Sequence, residues 1–227
     1  MVRPNAAPFF YPDTMNKHLL TLLLITTSIN LAAQKFTGLV NIEKTDSTIT
    51  VELMYAKADN FVGEKMYNFQ EAYLHPKAAE ALKKANRLLK ESNPELHLHI
   101  YDAARPMHVQ QKMWNKVKGT AKQNYVSNPA NGGGLHNYGL AVDVSIANSK
   151  GDTLPMGTTI DALIPASHID REEELVRKGI ITKEAAKNRQ LLRSVMKKAG
   201  FRPLRSEWWH FNYTTRNDAR KNYKAIP

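Results

Sequence analysis

The stretch GGGLHNYGLAVDVS, Gly132 to Ser145, sets three glycines before a lone histidine and places an aspartate seven residues further on, inside an apolar run. Its second half continues to Ala147 as GLAVDVSIA, whose period-two alternation reads as a strand. Leu140, Val142, Val144 and Ile146 take the core face, and Ala141, Asp143 and Ser145 share the other. A carboxylate beside the small Ala141 must meet solvent, a counter-charge or a metal, because an unpaired buried charge is very costly. His136 precedes the strand, behind glycines that let the backbone turn sharply, so it can fold back toward Asp143. Two readings follow: half of a metal site, or a loop histidine beside a salt-bridged aspartate.

Working outward, STITVELMYA (Ser47 to Ala56) alternates, is rich in β-branched residues and reads as a strand. PKAAEALKKANRLLKES (Pro76 to Ser92) puts Ala78, Ala81, Leu82, Ala85, Leu88 and Leu89 on one helical face, with Pro76 in the first turn and Asn93-Pro94 as the stop. ELHLHIYDAARP is a strand running into a loop, and Pro106 opens a helix through about Val117. TKEAAKNRQLLRSVMKKAG is an amphipathic helix with Thr182 as N-cap and Gly200 as its stop, and SEWWHFNYT is a closing aromatic strand. The expected class is α+β: a central, mostly antiparallel sheet flanked by helices.

Two more segments carry chemistry. In EWWH, Glu207 to His210, a neutral imidazole can bind zinc and a carboxylate can take a proton from metal-bound water. Spacing of three puts those side chains on opposite faces of a flat strand, so a site here requires a bend or bulge at Trp208 and Trp209. The alternative is an aromatic core strand with polar ends. In YDAARP, Arg105 stands just past a strand end and could stabilise an oxyanion; the alternative is a surface salt bridge to Asp102. Combined, His136, Asp143 and His210 supply three N/O ligands and leave a fourth zinc position for water, while Glu207 and Arg105 complete a metal-assisted hydrolase. His97 and His99 alternate on one strand face but lack a third ligand, and an exposed face accounts for them. His75, His108 and His168 are single histidines with surface or supporting roles. GGG is not a phosphate loop, since no Lys-Ser/Thr follows it.

The chain has 227 residues, 42% hydrophobic and 23% charged, which is ordinary globular composition and excludes disorder and collagen-like classes. With no cysteine there is no disulfide framework, no thiolate zinc site and no cysteine nucleophile. MNKHLLTLLLITTSINLAAQ, from Met15, has a basic start, an apolar core too short to span a bilayer and small residues at Leu31 to Ala33, the pattern of a secretory signal. Residues 1–34 are therefore expected to be an upstream extension plus signal, and 35–227 the mature domain, exported to the periplasm or cell envelope. Of the formal charge of +11, Arg3, Lys17 and Asp13 contribute +1, leaving +10 on that domain. Spread basic charge on an exported chain favours acidic wall polymers or anionic lipid over nucleic acid.

The ordered set YAKADNFVG, YDAARP, HNYGLAVDVS, MGTTID, RSVMKKAGF and EWWHF resembles the zinc D-alanyl-D-alanine dipeptidases, peptidase family M15, from about Val51 to Tyr213. The resemblance implies one Zn²⁺ per chain bound by His136, Asp143 and His210, Glu207 as general base and Arg105 as transition-state stabiliser. It also implies that Tyr55 and Asp161 line the substrate pocket, with Asp161 meeting the substrate's ammonium. The implied activity is hydrolysis of D-alanyl-D-alanine or similar dipeptides in cell-wall peptide turnover, on a small dipeptide, with no nucleic acid and no stable membrane anchor. A D,D-carboxypeptidase acting on longer muropeptides and a catalytically silent wall-peptide-binding module are the alternatives. Gly134 stands where the resistance dipeptidases carry serine, Ile160 replaces phenylalanine and Val62 replaces threonine.

Overall fold

Eight residues of β-strand near the middle of the chain organise the rest. The computed structural model describes residues 36–227, and the signal-like segment lies outside them. The order is β1 (Val40–Asn41), α1 (Ile42–Thr45), β2 (Thr50–Val51), β3 (Tyr73–Leu74), α2 (Pro76–Ser92), β4 (Leu96–Asp102), α3 (Met107–Val117), β5 (Ala141–Asn148), α4 (Glu172–Arg177), α5 (Lys183–Lys198), β6 (Arg202–Leu204), β7 (Glu207–Asn212) and α6 (Arg216–Asn222), joined by loops and short 3-10 turns. The main sheet runs β2-β4-β5-β7-β6, with β5 central; only β2 and β4 pair in parallel. The architecture is α+β, with β1 and β3 forming a separate small ladder.

Helix boundaries follow their caps. His75 Nδ1 accepts from the Lys77 amide at 3.3 Å ahead of Pro76, and α2 stops at Asn93, before a proline that cannot continue it. Ala78, Leu82, Ala85 and Leu89 are fully buried where α2 packs on β4 and α5, while Leu88 is only half-buried. Thr182 Oγ1 caps α5 by accepting from the Ala185 amide at 3.0 Å. Leu140, Val142, Val144 and Ile146 are fully buried, as their alternation predicts. Ala141, Asp143 and Ser145 on the opposite face are buried too, so β5 is covered on both sides.

The segment Ser47–Ala56 departs from the long strand its alternation predicts. Only Thr50–Val51 pairs, and Met54–Ala56 curls into a 3-10 turn. The turn buries Tyr55, whose carbonyl accepts from the Met66 and Tyr67 amides at 2.8 and 2.9 Å. Burial of one tyrosine outweighs local β preference. His99 also differs from the exposed-face reading: it is buried, and its Nδ1 and His97 Nε2 lie 2.7 and 3.1 Å from Thr50 Oγ1. His168 Nε2 meets Tyr125 Oη at 3.1 Å. No helix among the described residues is long and apolar enough to cross a membrane.

Candidate metal centre

Strand register assembles the centre. Asp143 on β5 is the direct partner of His210 on β7 and of Asp102 on β4, so three polar residues form one row across the sheet. His136 joins from the turn ahead of β5. Gly132 and Gly133 take φ of +78° and +65°, which side chains disfavour. A Cβ on Gly133 would lie 2.3 Å from Asn137 Oδ1, the atom that accepts from the Gly134 amide. The glycines thus close a tight turn that carries His136 back over the strand. Asn137 Nδ2 donates to the Arg105 carbonyl at 2.9 Å, and the Arg105 amide donates to the His136 carbonyl at 3.0 Å, tying the two loops together.

Three donor atoms converge: His136 Nε2 to His210 Nδ1 3.2 Å, His210 Nδ1 to Asp143 Oδ1 3.0 Å, and His136 Nε2 to Asp143 Oδ1 3.3 Å. The outer nitrogens are engaged elsewhere. His136 Nδ1 lies 2.7 Å from the Ala103 carbonyl, and His210 Nε2 lies 3.0 Å from Asn212 Oδ1. With the outer nitrogens protonated toward those oxygens, each inner nitrogen presents a lone pair. In that arrangement the two nitrogens and the carboxylate can hold a cation. Tetrahedral zinc with three N/O ligands and one open position fits this donor set. Burial alone would raise the Asp143 pKa; positive charge at this corner, with hydrogen bonds from His136 and His210, would hold it far below the ordinary carboxylate value.

The bend that EWWH requires is present. Pro203 pairs with Phe211 and Leu204 with Glu207, so one step along β6 answers four along β7. The bulge brings Glu207 Oε2 to 3.9 Å from His210 Nδ1, on the side of the centre. Burial pushes the Glu207 pKa up to about 8, with Asp143 and Asp161 adding to the rise while His210 and Arg105 oppose it.

Arg105 forms the pair with Asp102, but a buried one: Nε and Nη2 donate to Asp102 Oδ2 at 2.9 and 2.5 Å, and Nη1 donates to Gln110 Oε1 at 3.0 Å. Tyr67 Oη donates to the other Asp102 oxygen at 2.7 Å. Burial works against the Arg105 charge, but Asp102 outweighs it and holds the guanidinium well above its ordinary value. Arg105 lines the same cleft as His136, Asp143, Glu207 and His210, about 530 Å³ in volume. Tyr55 and Asp161 line it too, and Tyr55 Oη donates to Asp161 Oδ2 at 2.5 Å. Burial, then the nearby Asp143, raises the Asp161 pKa to about 7. Asp161 has φ +59°, an uncommon value for a residue with a side chain.

A family model described as D-Ala-D-Ala dipeptidase matches residues 35–225. The chain belongs to that family, Peptidase_M15. It is similar to the D-alanyl-D-alanine dipeptidase of Escherichia coli (strain K12), 33% identical over 175 residues, covering 77% of this chain and 84% of that one. The D-alanyl-D-alanine dipeptidase of Enterococcus faecium is 35% identical over 77 residues, 34% of this chain and 35% of that one. A similarity to the solved structure of the LdcB LD-carboxypeptidase covers 82% of this chain and 72% of that one, at 21% identity and a TM-score of 0.38. Membership makes this chain a peptidase.

Sequence reasoning singled out seven residues, and all seven line this cleft. It missed Asn212, Gln110 and Tyr67, and took Asp102 only as a surface partner. His210 and Asn212 sit two apart on one strand face, a spacing that could have flagged Asn212. Nothing local pairs Tyr67 with Asp102, 35 residues away.

Proposed function

We propose that the chain hydrolyses D-alanyl-D-alanine or similar short dipeptides with one Zn²⁺ held by His136, Asp143 and His210. The carrying observation is the convergence of two imidazole nitrogens and a carboxylate oxygen on one point, with Glu207 beside it. A bound Zn²⁺ supplies Lewis acidity, acidifying water and polarising the scissile carbonyl. Glu207 accepts the proton that the attacking water gives up, and later returns it to the departing amine. Its burial keeps proton affinity high enough for both steps. Arg105 keeps two N–H bonds beyond those used by Asp102 and Gln110, and these serve the developing oxyanion. Asp161 and Tyr55 meet the substrate's ammonium, which restores the charge that burial disfavours on Asp161. Export to the cell envelope, where wall peptides turn over, fits the segment from Met15.

Glu207→Gln should cut kcat by about 10²–10⁴ while metal analysis still finds one zinc per chain. Hydrolysis at the wild-type rate by that variant would refute the assignment. A second reading, D,D-carboxypeptidase action on longer muropeptides, draws on a neighbouring cavity of about 900 Å³ that shares Phe61 and Asp161 with the cleft. Comparing D-Ala-D-Ala with its N-acetyl form and with a pentapeptide separates the two: a dipeptidase cleaves only the first.

A further inference from the structure

We infer that Arg216, partnered by Ser127, reads the free carboxylate of the peptide substrate. The inference rests on the cleft being the peptide-hydrolysing site proposed above, and names the group that orients the substrate's C-terminal end. A dipeptide carries a charge at each end. Asp161 answers the ammonium, and a cation elsewhere in the cleft would favour a free dipeptide by answering its carboxylate.

Three guanidinium groups line it: Arg105, Arg202 and Arg216. Arg105 is bound to Asp102 and Gln110. Arg202 lies near Asp218, whose pKa is lowered mainly by hydrogen bonds from Thr214 and Asn222 and in smaller part by the Arg202 charge. Arg216 forms no ion pair among the described residues; its side-chain bond is from Nη2 to Ser127 Oγ at 2.9 Å. That leaves Arg216 further N–H donors, and leaves the Ser127 hydroxyl its own proton to donate. A guanidinium beside a free hydroxyl proton suits the two oxygens of a carboxylate.

This pair stands at a fixed remove from the reacting centre. Gln110 is buried and bridges the two: its Nε2 donates to the Ser127 carbonyl at 2.8 Å while its Oε1 accepts from Arg105 Nη1 at 3.0 Å. One glutamine side chain therefore sets the spacing between the oxyanion-holding arginine and the carboxylate reader. Gly134 keeps the approach open, since a Cβ there would lie 3.0 Å from Ser127 Oγ. Gly134 is also two residues from His136, so Ser127 stands close to the metal-facing turn.

The test measures binding, so it does not depend on turnover. Full-length Glu207→Gln protein supplied with Zn²⁺ is titrated calorimetrically with D-Ala-D-Ala and with its C-terminal amide. The free acid should bind about tenfold or more tightly than the amide, as expected for a charge-assisted pair. Adding Arg216→Gln should shrink that preference to below about twofold, with Ser127→Ala giving a smaller loss and Arg216→Lys a partial recovery. Arg216 is exposed, so its replacement leaves the core in place. A preference that survives Arg216→Gln, one that vanishes with Arg202→Gln instead, or no preference at all overturns the assignment. Wild-type protein that binds with the expected preference but cleaves neither peptide overturns the hydrolase reading and leaves Arg216 as the carboxylate reader.

Discussion

Arg105 and Arg189 are both buried, yet one lies among carboxylates and the other among carbonyls. Arg105 forks onto Asp102, with Asp143 3.8 Å beyond. Arg189, on α5, donates through Nε to the Met156 carbonyl at 2.7 Å and through Nη1 to the Ala166 carbonyl at 3.1 Å. Burial penalises both charges. Acids win at Arg105, whereas at Arg189 burial wins and lowers the pKa to about 10 despite Glu172. Both remain charged at neutral pH, to different ends. In the proposed function Arg105 points its charge at the reacting groups. Arg189 pins the two ends of the loop that carries Asp161, and its neighbour Thr158 accepts from Trp208 Nε1 at 2.8 Å, one residue from Glu207. A buried cation is chemistry or scaffold according to what it faces.

Substitution separates the roles. Arg105→Lys keeps a charge beside Asp102 but loses the planar fork. It should lower kcat by roughly 10²–10³, read by steady-state kinetics with zinc content unchanged. Arg189→Met keeps bulk but strips the donors from two carbonyls; denaturant unfolding should show a loss of about 2–5 kcal/mol, with a smaller fall in kcat than Arg105→Lys gives. If the kinetic and stability losses came out exchanged, the division of labour would be reversed.

Thr158→Val sharpens the same contrast. It leaves the Trp208 indole N–H without its acceptor and should cost about 1–2 kcal/mol in the same unfolding assay. No loss would mean that the loop and β7 are not coupled through this hydroxyl. The last expected effect is in pH. Asp161 has a folded pKa of about 7 against an ordinary 3.8, so the metal-free folded form holds a proton that the unfolded chain releases. That contribution is full below about pH 4 and is lost as pH rises through about 7. The melting temperature of chelator-treated protein should fall across this window, and Asp161→Asn should lessen the fall, the remainder coming from Glu207.

The sequence made some elements plain and hid others for physical reasons. Helix α2 was readable to the residue because proline chemistry marks both its ends. Strand β5 was readable because its alternation matches the pleat. The Tyr55 turn was not, because the force that curls it is burial against residues far along the chain. Within the site, the proposed ligands and base stood out as rare polar residues in apolar or glycine-rich surroundings. Arg189 did not: on an amphipathic helix it is one more charge among lysines, and only the loop folded over it reveals its role.

The row Asp102–Asp143–His210 crosses three strands in a single rung. A slip of one residue in any of them would turn a side chain to the wrong face and scatter the donors. Any ion captured at this corner therefore proofreads strand alignment: a mis-threaded chain forfeits the ion's contribution to its stability, and the correctly threaded one is locked by it.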